Sequence, residues 1–148
     1  MEHSIYSSII LALSGLAITI YYSRHTLKLS RDKMTKELFT EFNLRYDKIK
    51  DQLTLIAKLT DEQIEALSEA EFLEYRKSII EFFNICAEEY YWKTEKRINP
   101  KIWRSWHKGM NAIFEQSELI QKIWIEECQN GGFQSYYITS STDFFIKA

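Results

Sequence analysis

The sequence predicts an all-α protein: one N-terminal transmembrane helix followed by an antiparallel bundle of three to five helices. Three observations point there. Gly (4) and Pro (1) are scarce among 148 residues, and a chain so poor in backbone breakers favours long helices over short strands joined by tight turns. Residues 5–22, IYSSIILALSGLAITIYY, carry no charge. Beyond them, apolar residues recur at helical spacing between recognisable helix-start signals.

Composition narrows the alternatives. Apolar residues make up 45% and aromatics 15%, ample apolar surface for a core, so disorder is excluded. The length left after an anchor suits one domain of about 100–150 residues. The net charge of −2 conceals an asymmetry. Arg24, Lys28, Arg31, Lys33 and Lys36 stand against Asp32 alone, whereas residues 51–148 hold 11 Lys/Arg and 16 Asp/Glu. An acidic domain offers no footprint for nucleic acid. Cys86 and Cys128 lie far apart inside apolar helical runs, which fits two buried small hydrophobes in a reducing compartment better than a disulfide or a redox pair.

At 1.5 Å of rise per residue, the eighteen-residue run from Ile5 to Tyr22 lies near the lower limit for crossing a hydrocarbon core. Tyr6 at one end and Tyr21 and Tyr22 at the other suit the two interfaces. A cleaved signal peptide is the rival. It needs basic residues before the apolar run, but Glu2 and His3 precede it and the basic cluster follows. Positive residues stay inside, so residues 1–23 read as a single-pass inner-membrane anchor with its N-terminus outside. Residues 24–36 read as a basic juxtamembrane segment running on into the first bundle helix, and 37–148 as a cytoplasmic bundle. Arg24, Lys28, Arg31, Lys33 and Lys36 can meet anionic lipid headgroups, at about 1 kcal/mol each. Ser8, Ala12, Gly15 and Thr19 align small residues on one face of the anchor, a pattern that lets two such helices associate into a homo-oligomer, although small residues are common in short anchors.

In the cytoplasmic part, Met34, Leu38, Phe42, Ile49, Leu53 and Ile56 predict a helix running from the membrane to about Leu59. Thr60-Asp-Glu-Gln63 and Ser68-Glu-Ala-Glu71 are capping boxes; the first opens a short helical turn and the second a helix to about Arg97. Asn99-Pro100 starts the next, and Ser117 restarts or kinks the chain before a run through Cys128 that Gly131-Gly132 ends. The tail from Phe133 is too aromatic for a floppy end and is expected to fold back onto the bundle.

Chemistry is hard to find. The histidines are His3, His25 and His107, and none stands three residues after a Glu, so the di-metal bundle pattern is missing, as are zinc spacings. Glycine-rich phosphate loops are absent. His107, in Trp103-Arg-Ser-Trp-His107, is the one histidine placed in the bundle, where packing on Trp103 or facing solvent outweighs catalysis. No metal or cofactor is expected, and no enzyme. The residues singled out instead form an interhelical polar network: Asn43, Arg45 and Asp47 on one helix, with Asn84, Glu88 and Glu89 at a comparable level of the next. A register-fixing role is favoured over one in binding a partner or ligand.

The segment ELFTEFNLRYDKI (Glu37 to Ile49), behind an apolar anchor and a basic helix, resembles a group of short bacterial membrane-anchored helical proteins of unknown function sharing a Phe-Asn-x-Arg-Tyr-Asp motif. They also share a later aromatic, tryptophan-containing helical region, here Phe82 to Trp106. The resemblance implies a bacterial or phage origin and an anchored helical fold, and it transfers no catalytic residue. The expected function is a membrane-tethered interaction or regulatory module that meets the lipid bilayer and a protein partner. The alternative is a membrane-permeabilising effector of a defence or toxin system acting through self-associating anchors.

Overall fold

The computed structural model describes residues 2–140, 143 and 145, with the side chains of 2–5, 8 and 130 outside the description. Among the described residues there are five α-helices, one 3-10 helix and no strand: α1 (Glu2–Ile56), α2 (Asp61–Glu65), α3 (Glu69–Thr94), α4 (Pro100–Gln116), α5 (Glu118–Glu127) and the 3-10 helix Gln129–Tyr136. The chain divides into two compact units, residues 1–37 and 38–148.

The first unit is a stretch of α1. From Ile9 to Ile20 its large aliphatic side chains are exposed on every side of the helix. Two hydroxyls in this stretch turn inward on the backbone: Ser14 Oγ donates to the Leu11 carbonyl and Thr19 Oγ1 to the Gly15 carbonyl, each at 2.9 Å. Among the described residues no helix is long and apolar enough to cross a membrane. The run expected to do so includes Ile5 and Ser8, whose side chains lie outside the described residues.

The second unit is a helical bundle. Its helix starts follow the caps legible in the sequence. Thr60 and Gln63 close one capping box, Ser68 and Glu71 the other, each satisfying two backbone N–H groups that a helix start leaves free. Asn99 caps α4, with Pro100 in its first turn. Ser117 accepts from the Ile120 N–H at the start of α5, and Gln121 Nε2 donates back to the Phe114 carbonyl of α4, so one short junction serves two helix ends.

The helix ends are less regular than the starts. α1 stops at Ile56 instead of Leu59 because its last turn tightens, Lys58 N–H bonding Leu55 and Leu59 N–H bonding Ile56. α3 stops at Thr94, short of Arg97. Lys96 there takes a left-handed backbone (φ 56), Arg97 N–H reaches the Trp92 carbonyl and Lys96 N–H that of Lys93, the paired bonds of a Schellman ending. α5 ends at Glu127, before Gly131-Gly132, and the glycines sit inside the 3-10 helix. A β-carbon on Gly132 would lie 1.9 Å from the Glu127 carbonyl oxygen, so close backbone approach, not helix termination, demands that glycine.

α3 is the central element, packing against α4, α5 and the 3-10 helix. Ile79, Phe82, Phe83, Ile85, Cys86 and Ala87 are buried along it. Phe83 meets Trp124 of α5 edge-on at 4.9 Å, and Phe145 of the tail stacks on Phe114 at 4.2 Å. Tyr136, Ile138 and Phe145 are all buried, so the aromatic tail folds into the core as expected, while Phe144 and Ile146 lie outside the described residues.

Candidate functional site

Polar side chains of residues 45–52 in α1 face those of α3. Arg45 Nη1 donates to Glu88 Oε2 at 2.7 Å and Arg45 Nε to Glu81 Oε1 at 3.0 Å. One turn of pairs later, Gln52 Nε2 donates to Glu74 Oε1 at 3.1 Å, and Ser78 Oγ donates to Gln52 Oε1. Partners descend in α3 as they ascend in α1, so the two helices run antiparallel here. The two carboxylates, Glu88 foremost, hold the Arg45 guanidinium above its ordinary pKa, against the opposing effect of partial burial. The pairs are only partly buried, so their contribution is register more than energy.

Two depressions flank this ion pair. An open groove of about 710 Å³ is lined by Arg45, Gln52, Leu73, Arg76, Glu81 and Asn84 among others. A second, smaller cavity of about 290 Å³ has Phe42, Tyr46, Ile85, Cys86, Glu89 and Trp106 among its lining residues. Trp106 is held by two rings of α1: Phe39 stacks parallel to it at 5.8 Å and Phe42 meets it edge-on at 5.6 Å.

Glu89 is the chemically distinctive residue of the cavity. It is only 8% exposed, and among the described residues no hydrogen bond or ion pair reaches its carboxylate. No side-chain nitrogen or oxygen there is both sealed from solvent and without a partner, so the carboxyl opens onto the cavity it lines. Burial pushes its pKa up to about 8; the Arg45 charge opposes the shift and Glu88 adds to it. The carboxyl is therefore mostly protonated at neutral pH, and it ionises fully only when given a counter-charge or a higher pH.

The six network candidates divide accordingly. Arg45 and Glu88 are joined directly. Asn43 instead donates from Nδ2 to the Phe39 carbonyl one turn back, at 2.7 Å, and lines the cavity. Asp47 pairs within its own helix with Lys50 at 3.0 Å. Asn84 lines the open groove and Glu89 the cavity. Glu81 escaped sequence reasoning, although it stands seven residues before Glu88 on the same face of α3, a spacing that signals one partner for both. Glu89 also carried a signal: it continues the stripe Ile79, Phe82, Phe83, Cys86, where a carboxylate breaks an apolar face.

The remaining candidates are placed as follows. Ala12, Gly15 and Thr19 are exposed on α1, and Ser8 lies outside the described side chains. Arg24, Lys28, Arg31, Lys33 and Lys36 are all exposed, and Lys33 stands 3.8 Å from Glu37. His107 packs against the Trp103 ring at 5.2 Å. Cys86 is buried with its thiol pushed well up by burial, and burial raises Cys128 to about 11, which leaves both poor nucleophiles at neutral pH. Among the described residues no three His, Cys, Asp or Glu side chains gather closely enough to hold a metal ion. Comparison with protein-family models, with curated proteins and with solved structures finds no match for this chain.

Proposed function

We propose that the chain is a membrane-tethered interaction module, in which the apolar start of α1 is the anchor and residues 38–148 are the working domain at the cytoplasmic face. One observation carries the reading. Ile9, Ile10, Leu11, Leu13, Leu16, Ile18 and Ile20 are each 45–75% exposed and point in all directions around α1, a surface that water does not tolerate and a bilayer does. The internal hydrogen bonds of Ser14 and Thr19 support it, because they lower the cost of placing hydroxyls in hydrocarbon. The exposed basic cluster beginning at Arg24 suits the anionic headgroup layer on the cytoplasmic side. The working domain carries its polar chemistry in the groove and cavity beside Arg45, where recognition of a partner belongs. The test is fractionation of the full-length chain expressed in bacteria. It is expected in the membrane pellet after a high-salt and carbonate wash and in the supernatant after detergent. Recovery in the soluble fraction without detergent refutes the tether.

A further inference from the structure

The cavity between α1, α3 and α4 is a built site that goes beyond the tethering role and does not depend on it. Its lining is mostly apolar and aromatic, with one carboxyl that no described residue meets with a hydrogen bond or an ion pair. Arg45 is already committed to Glu81 and Glu88 at 3.0 and 2.7 Å, so the cluster of Arg45, Glu81, Glu88 and Glu89 holds one positive charge against three carboxyls. An anion is repelled from such a place. A neutral apolar molecule leaves the carboxyl as it was, whereas a cation supplies the missing counter-charge.

We propose that this cavity binds a small organic cation, an ammonium bearing apolar substituents, with the Glu89 carboxylate as counter-ion and Phe42, Tyr46 and Trp106 lining the site. Aromatic rings around a desolvated ammonium are a favourable arrangement, and Trp106 is already fixed at right angles to Phe42. The volume of about 290 Å³ lies at the lower end of ligand pockets and suits a molecule of few heavy atoms. Among the described residues, the titratable groups that line the cavity with Glu89 are Tyr46 from α1 and Cys86 from α3. Burial raises both above their ordinary pKa values, and α4 contributes Ser105, Trp106, Gly109, Met110 and Ile113, none of which titrates near neutrality. Arg45 and Glu88 act on Glu89 from outside the cavity. Glu89 is thus the group whose ionisation sets binding, and the cation must displace its proton at neutral pH.

The experiment is titration calorimetry of the full chain in maltoside micelles, which carry no ammonium of their own. The probes are choline and its uncharged carbon isostere 3,3-dimethyl-1-butanol. Choline is expected to bind, and to bind about thirtyfold more tightly at about pH 9 than at about pH 6.5, as a carboxyl titrating near 8 requires. Glu89→Gln keeps the shape, cannot ionise and so folds at least as well; it is expected to abolish both choline binding and its pH dependence. Gly109→Leu, from a position with no atom within 4 Å of a new β-carbon, fills the cavity and is expected to block binding while leaving helicity intact. Equal affinity for choline and its isostere, binding unchanged in Glu89→Gln, or no choline heat at either pH each overturns the proposal.

Discussion

Arg45 bonds Glu81 and Glu88 at once, at 3.0 and 2.7 Å, so a single guanidinium spans two turns of α3. The two carboxylates are met by separate nitrogens of the guanidinium fork, Nε and Nη1, a geometry that the single ammonium nitrogen of a lysine does not reproduce. Replacing Arg45 with Met leaves both carboxylates without their shared partner and, because the pairs are only partly buried, is expected to cost about 1 kcal/mol. Urea unfolding measures it, and Arg45→Lys should recover less than half of the loss. A double-mutant cycle with Glu88→Gln should show coupling; strict additivity would mean that the ion pair is incidental.

Glu89 predicts the pH dependence of stability. Its folded-state pKa of about 8 lies above the ordinary carboxylate value of 4.5. Between those values the unfolded chain has released the proton and the folded chain still holds it, so stability falls as pH rises through that window and levels off above 8. The slope attributable to this group is about 1.4 kcal/mol per pH unit. Glu89→Gln removes it. The mutant should match the wild type near pH 4.5 and exceed it increasingly toward pH 8, as read by thermal melts across the series; parallel curves would show that Glu89 ionises freely in the folded state.

Two glycines should respond in opposite directions. Gly132 brings the 3-10 helix against the end of α5, and its would-be β-carbon meets the Glu127 backbone oxygen at 1.9 Å. Since a backbone atom cannot swing aside, Gly132→Ala should cost about 2 kcal/mol or more. Gly109 lies in α4 with nothing within 4 Å, so Gly109→Ala should stabilise by about 0.5–1 kcal/mol through helix propensity alone. Melting temperatures of the two single mutants decide the matter.

Phe145 tests whether the tail is part of the core. It is 2% exposed, stacks on Phe114 and touches Trp124 at 5.0 Å. Phe145→Ala is expected to cost about 3–5 kcal/mol and to shift the tryptophan emission to the red, whereas an ornamental tail would leave both unchanged.

What the sequence made legible was local. The caps at Thr60, Ser68, Asn99 and Ser117 are complete within four residues of chain, and their side chains have few other ways to satisfy the backbone. The apolar face of α3 was readable because its residues are buried whatever they meet. Chain ends and charged pairs were not. Lys96 closes α3 in a left-handed conformation that nothing about lysine announces, and of the two glycines that do announce an ending, Gly132 serves a close approach to the Glu127 carbonyl instead. Arg76 bonds both Glu126 and Glu127, and Tyr136 bonds Glu127 at 2.9 Å; the Arg76 pairings join residues 50 or more apart that no local pattern connects. Glu89 was grouped with Glu88 because they are neighbours, yet one residue of helix rotates a side chain by about 100°, which puts Glu88 on the ion pair and Glu89 in the cavity.

The proposed anchor at the start of α1 predicts a steep response to a single charge. Leu16 is 57% exposed and stands near the middle of the uncharged run 5–22. An arginine there should cost about 2.5–3.5 kcal/mol of insertion free energy, against a run short enough that little is in reserve. Leu16→Arg should therefore move much of the protein from the carbonate-washed pellet to the supernatant or to degradation, while Leu16→Ile changes nothing. Arg24→Glu with Lys28→Glu should weaken the topological bias without removing the hydrophobic drive, which a protease-accessibility assay on spheroplasts reads directly. If Leu16→Arg leaves the pelleted fraction unchanged, the apolar turns of α1 are covered by protein and not by lipid.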